Sequence, residues 1–253
     1  MKNIFIFVMF CVYPSLACSD DSVKSGYQFM ELETRLLQDD DFLNPGFFLV
    51  EVGEKYWNSK LNNDGQACAE CHGNVTTSMK GVSIEYPRYD TQSKNLINLQ
   101  GKIISEFTKY NNVSGLYYDS EPILALTALI SLQSRGMEIN TVLSEELEPF
   151  WVSGKKLYET RRGQLNLSCS DCHVDLVGQR LRGDLISQGH INAFPIYRLL
   201  WGEPGSTHRM FEWCMNAVRS EPYSRGSTEY VELELYLMHR GNGMISESPG
   251  VRR

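Results

Sequence analysis

The sequence predicts an all-α (mainly α) chain built as two tandem halves of one plan. Three observations support this. The motif Cys-x-x-Cys-His occurs twice, as Cys68, Cys71, His72 and as Cys169, Cys172, His173. The residues before each motif repeat: Gly53 aligns with Gly154, Lys55 with Lys156, Trp57 with Tyr158 and Cys68 with Cys169, all at an offset of 101. The apolar residues flanking both motifs recur every three to four positions, the period of a helix with one buried face.

Taken in order, residues 1–17 read as a secretory signal peptide. Lys2 gives a positive start, Ile4 to Val12 form an apolar run, and Ser15-Leu16-Ala17 is a small-x-small cleavage site. Cys18 follows at once, so a lipidated terminus is the alternative. Beyond residue 20 no apolar run is long enough for a membrane span. Export to the periplasm is therefore expected. An apolar content of 42% over 253 residues leaves room for a real core.

The first half opens on a helix with Phe48, Val52 and Tyr56 on one face and Leu49 and Trp57 beside it. Its closing helix carries Ala125, Leu129 and Leu132, with Gly136 as a stop. The closing helix also has a second copy. Matching Arg135-Gly136 to Arg240-Gly241 puts Leu132 on Leu237 and Ile130 on Leu235, at an offset of 105. Each half thus reads as helix, motif, variable loop, helix. A polar stretch over residues 136–149 separates them.

Two cysteines and a following histidine, in an exported chain, form the attachment site of c-type haem. The thiols bond the vinyl groups and the histidine becomes the proximal ligand of the iron. A zinc ribbon would pair its Cys-x-x-Cys units within about 20 residues. Here Cys71 and Cys169 stand 98 apart, and each motif has its own histidine. Two covalent haem c groups are expected. Helix, motif, loop and crossing helix resemble the cytochrome c fold. The expected domains are 18–140 and 141–253.

Charge divides the halves. Residues 1–150 carry a net −9, and residues 151–253 a net +2, with 11 arginines among 13 basic residues. Arginine offers a planar fork to oxyanions. No basic run interleaved with aromatics points to nucleic acid. Of the seven cysteines, Cys11 leaves with the signal peptide, four hold haem, and Cys214 is left with only Cys18 as a conceivable partner. Cys214 falls in the stretch where a cytochrome c supplies its sixth iron ligand; Met210, Met215 and Met244 are rivals. A thiolate there would hold the potential low. Arg209 and Arg219 stand close in sequence to lower its pKa and to dock an anion.

The stretch from Gly189 to the end, above all "WCMNAVRSEPY" and "ELYLMHRGNGM", resembles the SoxA family, the haem subunits of the SoxAX complexes of sulfur oxidation. "CAECHGNVTTSMKGVSIEYPRYD" resembles the first haem region of that family. The resemblance covers nearly the whole mature chain. It implies oxidative conjugation of thiosulfate to a cysteine of the carrier SoxYZ, an L-cysteine S-thiosulfotransferase activity. The monohaem cytochrome SoxX is the implied partner, and a c-type cytochrome takes the electrons. It also implies Cys214 as the catalytic sulfur and iron ligand opposite His173, commonly as a persulfide, and His72 as the ligand of the first iron.

Two departures stand out. Relatives carry an Arg-Arg pair before the cysteine, whereas this chain has Arg209-Met210, which leaves Arg209, or Arg219 or another arginine, to bind substrate. Dihaem relatives place a second cysteine near the positions of Ser105 and Glu106; its absence leaves the first haem with another ligand, Met79 and Met137 being the candidates, or with none. Of the other histidines, His190 is expected as a structural residue beside the second haem. His208 is expected in a solvated loop, and His239 at the solvent face or end of the closing helix. The alternative functions are a dihaem electron carrier, a dihaem peroxidase and a thiosulfate dehydrogenase forming tetrathionate.

Overall fold

The computed structural model describes residues 22–62, 65–111 and 113–253. The expected signal peptide, Cys11 and Cys18 lie outside them. Nine α-helices are described: α1 (Leu32–Asp39), α2 (Phe47–Asn58), α3 (Cys68–His72), α4 (Val75–Ser78), α5 (Leu99–Asn111), α6 (Glu121–Leu132), α7 (Glu148–Glu159), α8 (Thr207–Ala217) and α9 (Thr228–Arg240).

The scaffold is two crossed helix pairs, α2 on α6 and α7 on α9. A glycine makes each crossing. A Cβ on Gly53 would stand 2.4 Å from the Ala125 carbonyl oxygen, and one on Gly154 would stand 2.1 Å from that of Glu232. Only a residue with no side chain lets the backbones approach so closely. The glycines also set which face is buried. In α2 the buried residues are Leu49, Val50, Gly53 and Trp57, while Phe48 is 70% exposed. The expected Phe48–Val52–Tyr56 face is therefore turned one residue away from the core centre. Val52 and Tyr56 still pack at its margin. Helix α6 is buried all round from Ile123 to Ser131, so periodicity alone says little about its orientation.

Each pair has its own core. Leu49, Trp57, Phe107, Ile123 and Leu129 belong to the first; Leu157, Tyr158, Phe211, Tyr230 and Leu237 belong to the second. A smaller cluster joins Leu96 of the first half to Leu147, Val231 and Leu235 of the second.

The all-α expectation holds for the scaffold but needs a correction in the loops. Seven short strands are described: β1 (Arg88–Asp90), β2 (Asn95–Ile97), β3 (Arg180–Leu181), β4 (Asp184–Leu185), β5 (Ile196–Arg198), β6 (Glu203–Gly205) and β7 (Gly250–Arg252). They form two hairpins and a sheet of order β6-β5-β7, in which β5 and β7 run parallel. At two or three residues each, they are too short to show alternation in sequence. They exist because long loops crossing a core must pair their backbone groups.

The N-terminal arm lies across the second half. Gln38 Oε1 accepts from the Val251 N–H at 3.0 Å, and Asn44 Nδ2 donates to the Pro249 carbonyl at 2.9 Å. Among the described residues no helix is long and apolar enough to cross a membrane.

Candidate functional site

In the first half, the motif forms the short helix α3, with Cys68 half-buried and Cys71 and His72 exposed. Trp57 braces it: Nε1 donates to the Gly73 carbonyl at 3.0 Å, and its ring centroid lies 5.9 Å from that of His72. Burial raises the Cys68 thiol to about 11. Met79 packs partly buried against the same core as Cys68, whereas Met137 covers Gly81. Glu106 pairs with Lys102 one helical turn away.

The second motif is held more closely. Asp171 accepts from the Ser168 N–H at 2.7 Å and from its hydroxyl at 2.8 Å, which tightens the turn before Cys172. Those bonds, with Arg161 beside them, hold the Asp171 carboxyl below the usual range. His173 Nδ1 lies 2.8 Å from the Ser187 carbonyl oxygen. A carbonyl only accepts, so Nδ1 carries the proton and Nε2 keeps its lone pair. Burial keeps His173 neutral, with its pKa lowered. Gly189, at φ +73°, lies flat against the imidazole; a Cβ there would stand 2.7 Å from His173 Cγ. Arg240 Nη2 donates to the His173 carbonyl at 3.2 Å.

These residues fit covalent haem c. Each motif offers two thiols free of disulfides and a histidine on one turn. At the second, the imidazole is fixed in the tautomer an iron requires, in a cradle that a side chain would fill.

Cys214 lies on α8, half-buried. It is close enough to the second motif for its charge to be felt at Cys169 and for that of Cys172 to be felt by it. Burial raises the Cys214 thiol to about 11, and Arg198 pulls against that rise. The rival sulfurs have other surroundings. Met215 is buried, with Tyr230 Oη donating to its sulfur at 3.4 Å. Met244 is buried where Ile139 pairs with the chain end, and Met210 Sδ lies 3.3 Å from Arg198 Nη1.

Arg209 pairs with Glu203, donates to the Pro204 carbonyl at 3.0 Å and lies over Trp201 at 4.4 Å. Arg219 is exposed just past the end of α8. Sequence reasoning missed Arg198. It lies in β5, outside both attachment motifs, and its side chain meets Met210 and Trp213 of α8 directly.

The histidines differ from expectation in part. His208 is on α8 and 2% exposed, not in a solvated loop. The Gly226 N–H donates to its Nδ1 at 3.0 Å, its Nε2 lies 2.9 Å from Glu234 Oε2, and it stacks on Tyr118. His190 is buried beside the second motif, as expected; burial lowers it to about 4, helped by Arg240 and His173. His239 meets Trp151 edge-on at 5.4 Å.

The SoxA/TsdA cytochrome c domain matches residues 52–139. L-cysteine S-thiosulfotransferase subunit SoxA of Pseudaminobacter salicylatoxidans is 40% identical over 92% of this chain and 82% of its own length. The subunit of the same name from Paracoccus pantotrophus is 37% identical over 94% of this chain and 81% of its own. A crystal structure of SoxXA from P. pantotrophus superposes with a TM-score of 0.88 at 36% identity, covering 91% of this chain and 87% of that one. With a doubled attachment motif, a thiol beside the second copy and relatives alike over nine-tenths of its length, the chain belongs to the SoxA family of c-type cytochromes.

Proposed function

We propose that the chain joins thiosulfate oxidatively to a cysteine of the carrier SoxYZ, as an L-cysteine S-thiosulfotransferase of the periplasm, reached by cleavage of residues 1–17. Two cytochrome c-like units, within 18–140 and 141–253, each hold one haem c. Cys68, Cys71 and His72 bind the first; Cys169, Cys172 and His173 bind the second, with Cys214 as its other ligand. SoxX is the partner subunit.

The chemistry of the chain's own groups balances as follows. The outer sulfur of thiosulfate bonds to Cys214 Sγ, giving Cys–S–S–SO3⁻ with loss of one proton and two electrons. The carrier thiolate then attacks that outer sulfur and displaces the Cys214 thiolate, an ordinary thiol–disulfide exchange. When bound, haem supplies one-electron acceptance and passes the electrons to a c-type cytochrome. Arg209 stands in the first turn of α8, paired with Glu203, and His173 stays neutral and fixed in orientation through Ser187.

What supports this reading is that Cys214 lies near enough to Cys169 and Cys172 for their charges to be felt between them. Thiosulfate alone, then thiosulfate with carrier, is the decisive assay of the haem-loaded complex. Turnover should require the carrier and vanish in Cys214→Ala. Tetrathionate formed without carrier, or full turnover in Cys214→Met, would overturn it.

A further inference from the structure

Resting on that reading, we infer that Arg198 is the residue that docks the oxyanion end of the substrate beside Cys214. Strand β5 ends at Arg198, and the turn after it carries Trp201. The guanidinium carbon lies 5.3 Å from the Trp201 ring centroid and 5.2 Å from that of Trp213. The two indoles meet edge to face at 6.0 Å. Arg198 Nη1 reaches Met210 Sδ at 3.3 Å. Met210 and Cys214 are one turn apart on α8, and Trp213 adjoins Cys214 in sequence. Arg198 is thus held by two residues of α8 that precede the thiol, one a turn before it and one directly before it.

Most arginines around the second motif are already paired; Arg162, whose Nε is likewise buried without an acceptor, lies over Tyr223 and is felt at Cys169 rather than at Cys214. Arg209 is occupied by Glu203, Arg225 by Asp119 and Glu212, and Arg252 by Glu247. Arg240 is occupied by the carbonyls of Gln188 and His173. Arg198 makes no ion pair among the described residues, its Nε is buried without an acceptor, and its side-chain hydrogen bond goes to a thioether, a weak acceptor. Asp184, the carboxylate nearest enough to be felt, is itself paired with Arg253. A buried donor with no partner is costly. Two aromatic faces hold the charge in place without neutralising it. A sulfonate group presents oxygens that suit this fork. Docked there, thiosulfate keeps its outer sulfur free to meet Cys214 Sγ.

Steady-state kinetics of the haem-loaded complex with carrier provide the test. Arg198→Gln should raise KM for thiosulfate about ten- to a hundredfold, the loss of a charge-assisted contact. KM for the carrier, haem content and the haem spectrum should stay as they were. Arg198→Lys, which keeps charge but not the fork, should fall between. Because position 210 touches Arg198, adding Met210→Arg to Arg198→Gln should recover most of the lost affinity. An unchanged thiosulfate KM in Arg198→Gln, or a fall in kcat alone, would overturn the inference. So would a rise seen only in Arg209→Gln. Calorimetric titration with thiosulfate and with sulfate separates the two ideas. Should the intact complex show no turnover, the functional reading falls. The anion affinities of wild type and Arg198→Gln then judge Arg198 alone: a difference supports it, equality refutes it.

Discussion

Gly189 shows how much a single residue decides at the second motif. Its positive φ and its contact with the His173 ring exclude a side chain at once by backbone and by space. Gly189→Ala is expected to push the imidazole off its Ser187 partner. The C-terminal haem would then be incorporated incompletely or show an altered spectrum, while the N-terminal haem stays normal. Peptide mass spectrometry of the two attachment sites distinguishes these outcomes. Residue identity was legible here in unequal degree. The cysteines and histidines of both motifs announce their chemistry because all three groups lie on one turn. Arg198 and the burial of His208 do not, since each depends on neighbours distant in sequence.

Among the elements, the two glycine crossings govern packing. Gly53 and Gly154 were visible as repeat partners, but their role was not. A Cβ on Gly154 would stand 2.1 Å from a carbonyl oxygen of α9, which a helix cannot yield without separating from its partner. Gly154→Ala is expected to cost about 1–3 kcal/mol, read as a lower urea midpoint at unchanged slope. Gly53→Ala should behave alike in the first pair. The arm before α2 depends on Asn44, which is 3% exposed and bonds Pro249 across 205 residues. Asn44→Ala leaves that carbonyl and the Gly46 N–H short of a partner, at a cost of about 1–2 kcal/mol. The expected sign is faster proteolytic removal of the arm with both haems retained. Helix positions could be read from period; the rotation of α2 could not, because a glycine carries no hydrophobic signal yet sets the buried face.

Across the whole molecule, a polar clasp joins the halves. Asp119 accepts from Gln100 Nε2 at 2.9 Å, Ser206 Oγ at 2.8 Å and Arg225 Nη1 at 3.1 Å, with its side chain 4% exposed. Beside it, Asn98 donates to Glu234 at 2.7 Å and accepts from Tyr118 Oη at 3.0 Å. Asp119 sits at φ +63°, a conformation asparagine also tolerates. Asp119→Asn therefore removes charge with little backbone strain. It is expected to cost about 2 kcal/mol and to speed hydrogen exchange around residues 98–101 and 225–227 together.

By itself the sequence determined the covalent chemistry, the doubling and the helix–motif–helix order, because each is written within one turn or one repeat. Tertiary structure alone decided that the arm lies over the second half, that the two halves share a clasp, and which arginine packs against Met210 and Trp213 of α8. Those are contacts between residues 12 to more than 200 positions apart. They are selected by packing and by the need to pair buried polar groups, neither of which leaves a local pattern to read.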